Sequence, residues 1–381
     1  MPRPTVTRTP YGTLPGGEET ELWALDSGHG VRAEILTYGA VLHSLTVPDT
    51  RGEDTSVVLA LPGIGDYAEK NAYVGAVVGR FANRIANGTF TLDGTRYHVP
   101  ANDRGHALHG GPGGFDTKVW RAEQVPGDKA VAVRLSLHSP DGDMGFPGAL
   151  DVSVTYSLDA EGTLAVDFTA TTDRPTVVNL AHHAYFDLTG EGDIRGHTLQ
   201  VDAESYLPVD GTGIPEGPAA DVRGTAFDLT EPRVLGERLT MPDEQLRAAG
   251  GFDHCWVLDP AGPAAAPRRA ARLSAPGGLR VMEVWTTEPG VQVYTANQLD
   301  GSLAAPSGRH HERYSGVCLE TQHLPDSPNR PEYPTTVVRP QETWHSRTEF
   351  RFPHLTATSP GEDVERRLPI DARVRPAHRT P

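Results

Sequence analysis

Imidazoles and carboxylates set in strand-like sequence carry the candidate chemistry of this chain. In "NLAHHAYFDLTG" (residues 179–190) two histidines are adjacent. Neighbouring side chains on a strand point to opposite faces, so His182 and His183 cannot serve one site from a regular strand. Read as a strand, 179–188 puts Asn179, Ala181, His183, Tyr185 and Asp187 on a mainly polar face. Leu180, His182, Ala184, Phe186 and Leu188 fall on a mainly apolar one. His183 then stands beside Tyr185 on a hydrophilic wall, where an imidazole can move protons, and His182 joins the core side. The segment equally allows two histidines satisfied by neighbouring backbone, and its spacing is not one a strand can use to hold zinc. Glu320, in "VCLETQ", shares a face with Cys318 and Gln322, opposite Val317, Leu319 and Thr321. A carboxylate in such partly apolar sequence is costly unless it is paired or functional.

Period-2 alternation supplies the elements that must position these groups. "LDVSVTYSL" (150–158) and "TLAVDFTA" (163–170), joined by "DAEG", read as a hairpin of half-buried antiparallel strands. "VAVRLSL" (131–137), "VRAEILTYGAVLHSLTV" (31–47) and "VMEVWTT" (281–287) alternate likewise. Sustained helical periodicity is missing; "MPDEQLRAAGG" (241–251) fits a short helix between Pro242 and Gly250. Many short strands without regular intervening helices predict an all-β fold, a large antiparallel β-sandwich. Residues 1–355 read as a single domain and 356–381 as a disordered, Arg- and Pro-rich tail. The low-complexity stretch 259–278 reads as a mobile hairpin loop, and His310 and His311 as solvated loop residues.

Composition narrows the partners. A net charge of −16 argues against nucleic acid and anionic membrane surfaces, which require basic patches. There is no run of 18 apolar residues and no apolar signal-peptide core near the start. Two cysteines, Cys255 and Cys318, make neither a disulfide framework nor a cysteine zinc site, although both lie in strand-like sequence and their proximity is open. A cytoplasmic, reduced protein, monomer or homodimer, is the expectation.

Six further stretches fall in a telling order: "GRFANRIANGTF" (79–90), "ALHGGPGGFD" (107–116), "SPDGDMGFPG" (139–148), "GFDHCWVL" (251–258), "PGVQVYTANQLDG" (289–301) and "GVCLETQHLPDSPNRPEYP" (316–334). Together with 179–190 they resemble the aldose 1-epimerases, or galactose mutarotases, from about Tyr11 to Phe352. The resemblance implies that family's sandwich, the galactose mutarotase-like supersandwich, with a sugar on its concave face. It matches His183 to the family's general acid and Glu320 to its general base. It matches Asn83, Arg84, His109, Asp253 and Gln292 to groups that bind sugar hydroxyls. Three positions depart from the family pattern: His182 stands where Asn is common, Ala184 where Ser is common, and Cys255 where Asn is frequent.

The chemistry explains why these residue types are needed. Exchanging the anomers of an aldose means removing the proton of the C1 hydroxyl while protonating the ring oxygen, turning the aldehyde about C1–C2, and reclosing with the roles reversed. One acid and one base facing each other across the sugar suffice, so no cofactor and no metal are called for. A glutamate is ordinarily ionised at pH 7, whereas a free histidine is only about a quarter protonated there. Asp253 and Glu320 nearby are expected to raise His183. Tyr185, Phe115 and Trp285 are the candidate aromatic surfaces for the sugar's apolar faces. Competing readings are a sugar-phosphate epimerase, which wants a cationic cluster beyond Arg84 and Arg313, a glycosidase using Asp253 and Glu320, and a sugar-binding module without turnover. A binding module needs no acid–base pair, so the presence of both His183 and Glu320 favours an enzyme.

Overall fold

Alternating burial along the chain builds the molecule. In the computed structural model, which describes residues 3–69, 72–127, 129–259 and 266–356, the strand Leu150–Asp159 buries every second residue and exposes or half-exposes the rest. It pairs antiparallel with Leu164–Thr172, from Leu150 opposite Thr172 to Leu158 opposite Leu164. The expected hairpin is therefore present, and it forms the middle of a nine-stranded sheet. That sheet runs outward through Ala130–Ser139 and Arg121–Val125 on one side. On the other it continues through Trp344–Arg351, Val281–Thr286, Arg268–Ser274, Thr198–Val201 and Arg233–Val234.

The strand Arg268–Ser274 corrects the expectation of a loop over 259–278. It pairs with Val281–Thr286, and a register shift between Arg269 and Ala271 breaks the alternation that would have revealed it. Its arginines point to ion partners, Arg269 to Asp202 and Arg272 to Glu283, while Ala271 and Leu273 are buried. Residues 260–265 of that stretch, and the expected tail from 357 onward, lie outside the described residues.

A six-stranded sheet packs against the first: in spatial order Tyr185–Phe186, Val317–Gln322, Gly290–Tyr294, Asp253–Val257, Ser205–Leu207 and Ala220–Asp221. Its inward residues Trp256, Val291, Val293 and Leu319 share one hydrophobic cluster with Val166, Phe168, Val284 and Phe350 of the large sheet. Each such side chain contributes about 1.5–3 kcal/mol when fully buried. Two layers over one core make the predicted antiparallel sandwich. A five-stranded N-terminal meander, Thr5–Thr13 through Asp54–Ser56, closes one flank. The Tyr156 hydroxyl, wholly buried in the large sheet, ties that flank down by donating to the Ala40 carbonyl at 2.7 Å. The short helix Glu244–Ala249 is also as expected, capped by the Asp243 side chain and ended by Gly250 at φ 73°. Among the described residues no helix is long and apolar enough to cross a membrane.

Tyr156→Phe leaves the Ala40 carbonyl buried without its donor. The expected loss is about 1–3 kcal/mol, read as a lower urea midpoint at unchanged slope; a loss below about 0.5 kcal/mol would show that the contact carries no stability.

Candidate active site

The outward face of the six-stranded sheet is the floor of the site. Antiparallel register aligns Tyr185, Cys318, Tyr294 and Asp253 as one rung, each opposite the next across four strands. Two residues along, Glu320, Gln292 and Cys255 form a second rung. Because side chains alternate, both rungs point away from the core. Strands lie about 4.8 Å apart, so groups on one rung reach one another. Gln292 Nε2 donates to Asp253 Oδ1 at 2.7 Å.

Loops bring in the remaining groups. Asn83 and His109 both take left-handed backbone, φ 61° and 53°, and their segments are stitched reciprocally. His109 N donates to the Asn83 carbonyl at 3.1 Å, and Asn83 N donates to His109 Nδ1 at 3.1 Å. Gly110 follows because a Cβ there would sit 2.0 Å from the Gly79 carbonyl oxygen; the first glycine of "LHGG" is thus a packing requirement. Asn179 anchors the same loop, donating from Nδ2 to Ala82 O at 3.1 Å and accepting from His323 N at 3.0 Å. His323 is in turn held by Glu288 at 2.7 Å, a buried carboxylate that raises the imidazole's pKa against the opposing effect of burial. Arg84 is 5 % exposed; its Nε donates to Asp103 at 2.8 Å and its guanidinium reaches Asp253 at 3.6 Å. Burial works against its charge, but Asp253 and Asp103 more than offset this and hold its pKa above the ordinary value.

The strand expected over 179–188 is two short ones, Ala181–His182 and Tyr185–Phe186, with His183 at the break. The two faces survive. His183 turns to the cavity beside Tyr185, ring centres 5.0 Å apart, and His182 turns to Tyr156 and Phe350 in the core. Backbone does not satisfy His182: among the described residues neither ring nitrogen has a hydrogen-bond partner, and burial pushes it down to about 3. His183 Nε2 stands 3.7 Å from Glu320 Oε1, both side chains almost fully buried.

Their protonation differs from the expectation. Burial pushes His183 down to about 4; its own backbone carbonyl and Asp253 pull upward without prevailing. Burial, seconded by the Asp253 charge, holds the Glu320 carboxyl well above the usual range, with Arg84 pulling the other way. The neighbouring carboxylates thus fail to raise His183, because desolvation of a wholly enclosed ring outweighs them. What results is a pair in which burial favours the neutral form of each member.

The cavity these groups enclose holds about 240 Å³. That is the space of about eight waters at ~30 Å³ each, a small-ligand site. His183, Glu320, Asn83, Arg84, His109 and Asp253 all line it, as do Tyr73, Tyr185 and Tyr294. Gln292 does not; it lies behind Asp253 on the floor and orients that carboxylate. Of the aromatic candidates only Tyr185 is in place. Phe115 packs edge-on to Trp120 in the core, and Trp285 lies 4.2 Å beneath the Arg351 guanidinium on the large sheet. Cys255 and Cys318 are free buried thiols, two strands and two residues apart in register. His310 is exposed, but His311 is 3 % exposed with Nε2 2.9 Å from the Ala60 carbonyl, so it is a structural rather than a solvated residue. Sequence reading missed Asp103, Tyr73 and the contact of Cys318 Sγ with His183 Nδ1 at 3.5 Å. Pairing of "VCLETQ" with the "YF" that follows His183 and Ala184, which sets Cys318 opposite Tyr185, would have exposed the last of these.

His109, His183 and Glu320 present donor atoms within 4.8 Å of one another, a spacing that admits a metal ion. The tautomer of His109 opposes it. Burial, followed by the His183 and Arg84 charges, keeps His109 neutral, and its Nδ1 accepts from Asn83 N, so its hydrogen sits on Nε2. The atom facing the cavity is a donor, suited to a hydroxyl oxygen and not to a cation.

Comparison with known proteins agrees with this geometry. Residues 21–351 match the family described as aldose 1-epimerase. The galactose mutarotase of Rattus norvegicus is 43 % identical over 351 residues, covering 91 % of this chain and 98 % of the relative. The aldose 1-epimerase of Escherichia coli strain K12 is 35 % identical, covering 89 % and 96 %. A crystal structure of a galactose 1-epimerase from Lactobacillus acidophilus superposes with a TM-score of 0.81 at 28 % identity, over 91 % of this chain and 98 % of that one. In class, then, this is a sugar-acting isomerase on an antiparallel sandwich. The chain belongs to the aldose 1-epimerase family, whose members interconvert the anomers of sugars.

Asp103→Asn removes the charged partner of Arg84 Nε. KM is expected to rise about tenfold with kcat nearly unchanged, the signature of lost uniform binding; steady-state mutarotation kinetics in which kcat falls and KM stays constant would contradict this.

Proposed function

We propose that this cavity catalyses the ring opening and reclosure of free aldohexoses of the glucose and galactose type, with His183 and Glu320 as its acid–base pair. One observation carries the reading: Nε2 and Oε1 lie 3.7 Å apart at the bottom of a small polar cavity. The two oxygens that exchange protons, O1 and O5, share the anomeric carbon. An acid and a base that serve them must therefore be near neighbours beside C1, rather than on opposite sides of the ring. Adjacent groups at this spacing tighten to hydrogen-bonding distance when substrate arrives.

Proton bookkeeping agrees. In the forward direction imidazolium gives a proton to O5 while the Glu320 carboxylate takes one from O1; C1–O5 breaks and an aldehyde forms. The pair then stands as neutral imidazole and carboxylic acid. Rotation about C1–C2 turns the other carbonyl face to O5, and the two groups act in reverse. The pair holds one proton before and after each half. Burial favours neutral His183 and protonated Glu320, the second of these two states. Arg84, Asp253, Asn83 and the Nε2–H of His109 receive the remaining hydroxyls, acceptors and donors both. Asn83 spends Oδ1 on Arg84 N at 2.9 Å, so its amide NH₂ is what it offers. Among the described residues Arg84 is the only arginine or lysine lining the cavity, and Arg313 sits elsewhere against Gly250 and Tyr314, which leaves no cluster for a phosphate.

Polarimetry of freshly dissolved α-D-glucose and α-D-galactose, with and without protein, tests the activity and ranks the two sugars; no acceleration of either would overturn the proposal. Glu320→Gln and His183→Asn are each expected to lower kcat by about 10²–10⁴ with little change in KM; a variant with near-normal kcat would remove that residue from the pair.

The pH profile follows from the single shared proton. On the acid side activity falls as His183, pushed down to about 4, gains a second proton for the pair. On the alkaline side it falls as Glu320, held above the carboxylate range, loses the only one. The expected kcat/KM has its acid limb well below the ordinary histidine range and its alkaline limb above the usual carboxylate range, both limbs belonging to the pair and not to either residue. An acid limb near 6.5 would show that His183 titrates as a free imidazole.

A further inference from the structure

His183 has two nitrogens, and only one of them faces the chemistry. Nε2 looks toward Glu320 and the cavity, while Nδ1 lies 3.5 Å from Cys318 Sγ, deep between the strand Val317–Gln322 and the break after Ala181–His182. Neutral imidazole carries a single hydrogen, and which nitrogen holds it is set by what the other side meets. With the hydrogen on Nδ1, Nε2 presents a lone pair that accepts from Glu320 or from a sugar hydroxyl. With it on Nε2, the neutral ring is inert as a base.

We propose that Cys318 is a positioning residue for this reaction: its Sγ accepts the Nδ1 hydrogen of His183, so the ring keeps that hydrogen throughout and exchanges its proton only at Nε2. The inference rests on the acid–base reading above. Three further observations support it. Cys318 is 0 % exposed, so no solvent competes for Nδ1. Burial, then the Glu320 and Asp253 charges, holds the thiol well above its ordinary pKa, so Sγ stays protonated and does not form an ion pair that would trap imidazolium. Cys318 is also fixed in place by its rung, opposite Tyr185 on one side and Tyr294 on the other, and Tyr185 is itself tethered by its hydroxyl to Ala72 O at 2.9 Å. Sulfur is a weak acceptor, which suits a ring that must pass between charged and neutral forms without being locked in either.

The experiment uses the full chain labelled with ¹⁵N-histidine. Long-range ¹H–¹⁵N spectra at neutral pH report the tautomer of His183, whose signals are identified by their loss in His183→Asn. The wild type and Cys318→Ser, whose hydroxyl can accept the same hydrogen, are expected to show the Nδ1–H form and kcat values within about twofold of each other. Cys318→Ala, and the volume-conserving Cys318→Val should the alanine variant fold poorly, are expected to show mixed tautomers and a kcat lowered about fivefold at unchanged KM, the worth of one neutral hydrogen bond. An Nε2–H form in the wild type, or an unchanged tautomer and kcat in both apolar variants, would overturn the proposal. A wild type without mutarotase activity would sink the acid–base reading instead, and the tautomer would still be read.

Discussion

Two ionisable side chains buried against each other are both driven toward their uncharged forms. His183 and Glu320 are each nine-tenths or more enclosed, and desolvation acts on them in opposite directions, lowering the imidazole's affinity for a proton and raising the carboxylate's. Coulombic help from Asp253 does not reverse this for the imidazole. Placement in low dielectric thereby favours the uncharged form of each, and the surrounding structure holds the two groups close together.

The sandwich does this by division of labour. Its inner faces supply cohesion: Trp256, Val293 and Leu319 on one layer interlock with Phe168, Val284 and Phe350 on the other. The outer face of the smaller sheet is then free to carry costly polar groups. Some of those groups pair laterally, as when Gln292 supports Asp253 and Asp253 reaches Arg84, while among the described residues Glu320 Oε2 and Gln292 Oε1 have no hydrogen-bond partner. The loops are not slack attachments. Asn83 and His109 clasp each other's backbone, and Asn179 bridges that loop to the end of the catalytic strand through His323. A left-handed backbone at His109 costs of order 1–3 kcal/mol; the clasp and the two glycines after it make that conformation tenable.

Much of this was legible in the residues, and for identifiable reasons. Period-2 alternation at 150–170 gave strands and faces correctly because one face is wet and the other dry. The same parity argument separated His183 from His182 even though the strand breaks between them. Fold class came with the family resemblance, and His183, Glu320 and four of the five other expected site residues sit together around one cavity. Three things escaped. The strand at 268–274 hid behind a bulge and small or charged residues. His311 read as wet because a loop histidine carries no sign of the distant Ala60 carbonyl that buries it. Protonation went astray because reference pKa values assume solvent, and no sequence states how completely a residue will be covered. Gln292 illustrates the same gap, since rung geometry alone decides whether a polar side chain meets the ligand or props up the one that does.

The two-rung floor also constrains how the chain can change length. Glu320, Gln292 and Asp253 come from three adjacent strands whose parity must agree. A single-residue deletion within Val317–Gln322 would rotate Leu319 or Thr321 into the cavity and thrust the carboxylate among the Phe350 side of the core. Turns such as residues 160–163, between Leu150–Asp159 and Leu164–Thr172, lie between strands of fixed parity and can lengthen or shorten without touching it. Variation in length among functional descendants of this sequence is therefore confined to the turns, while the three central strands tolerate only exchange of one side chain for another.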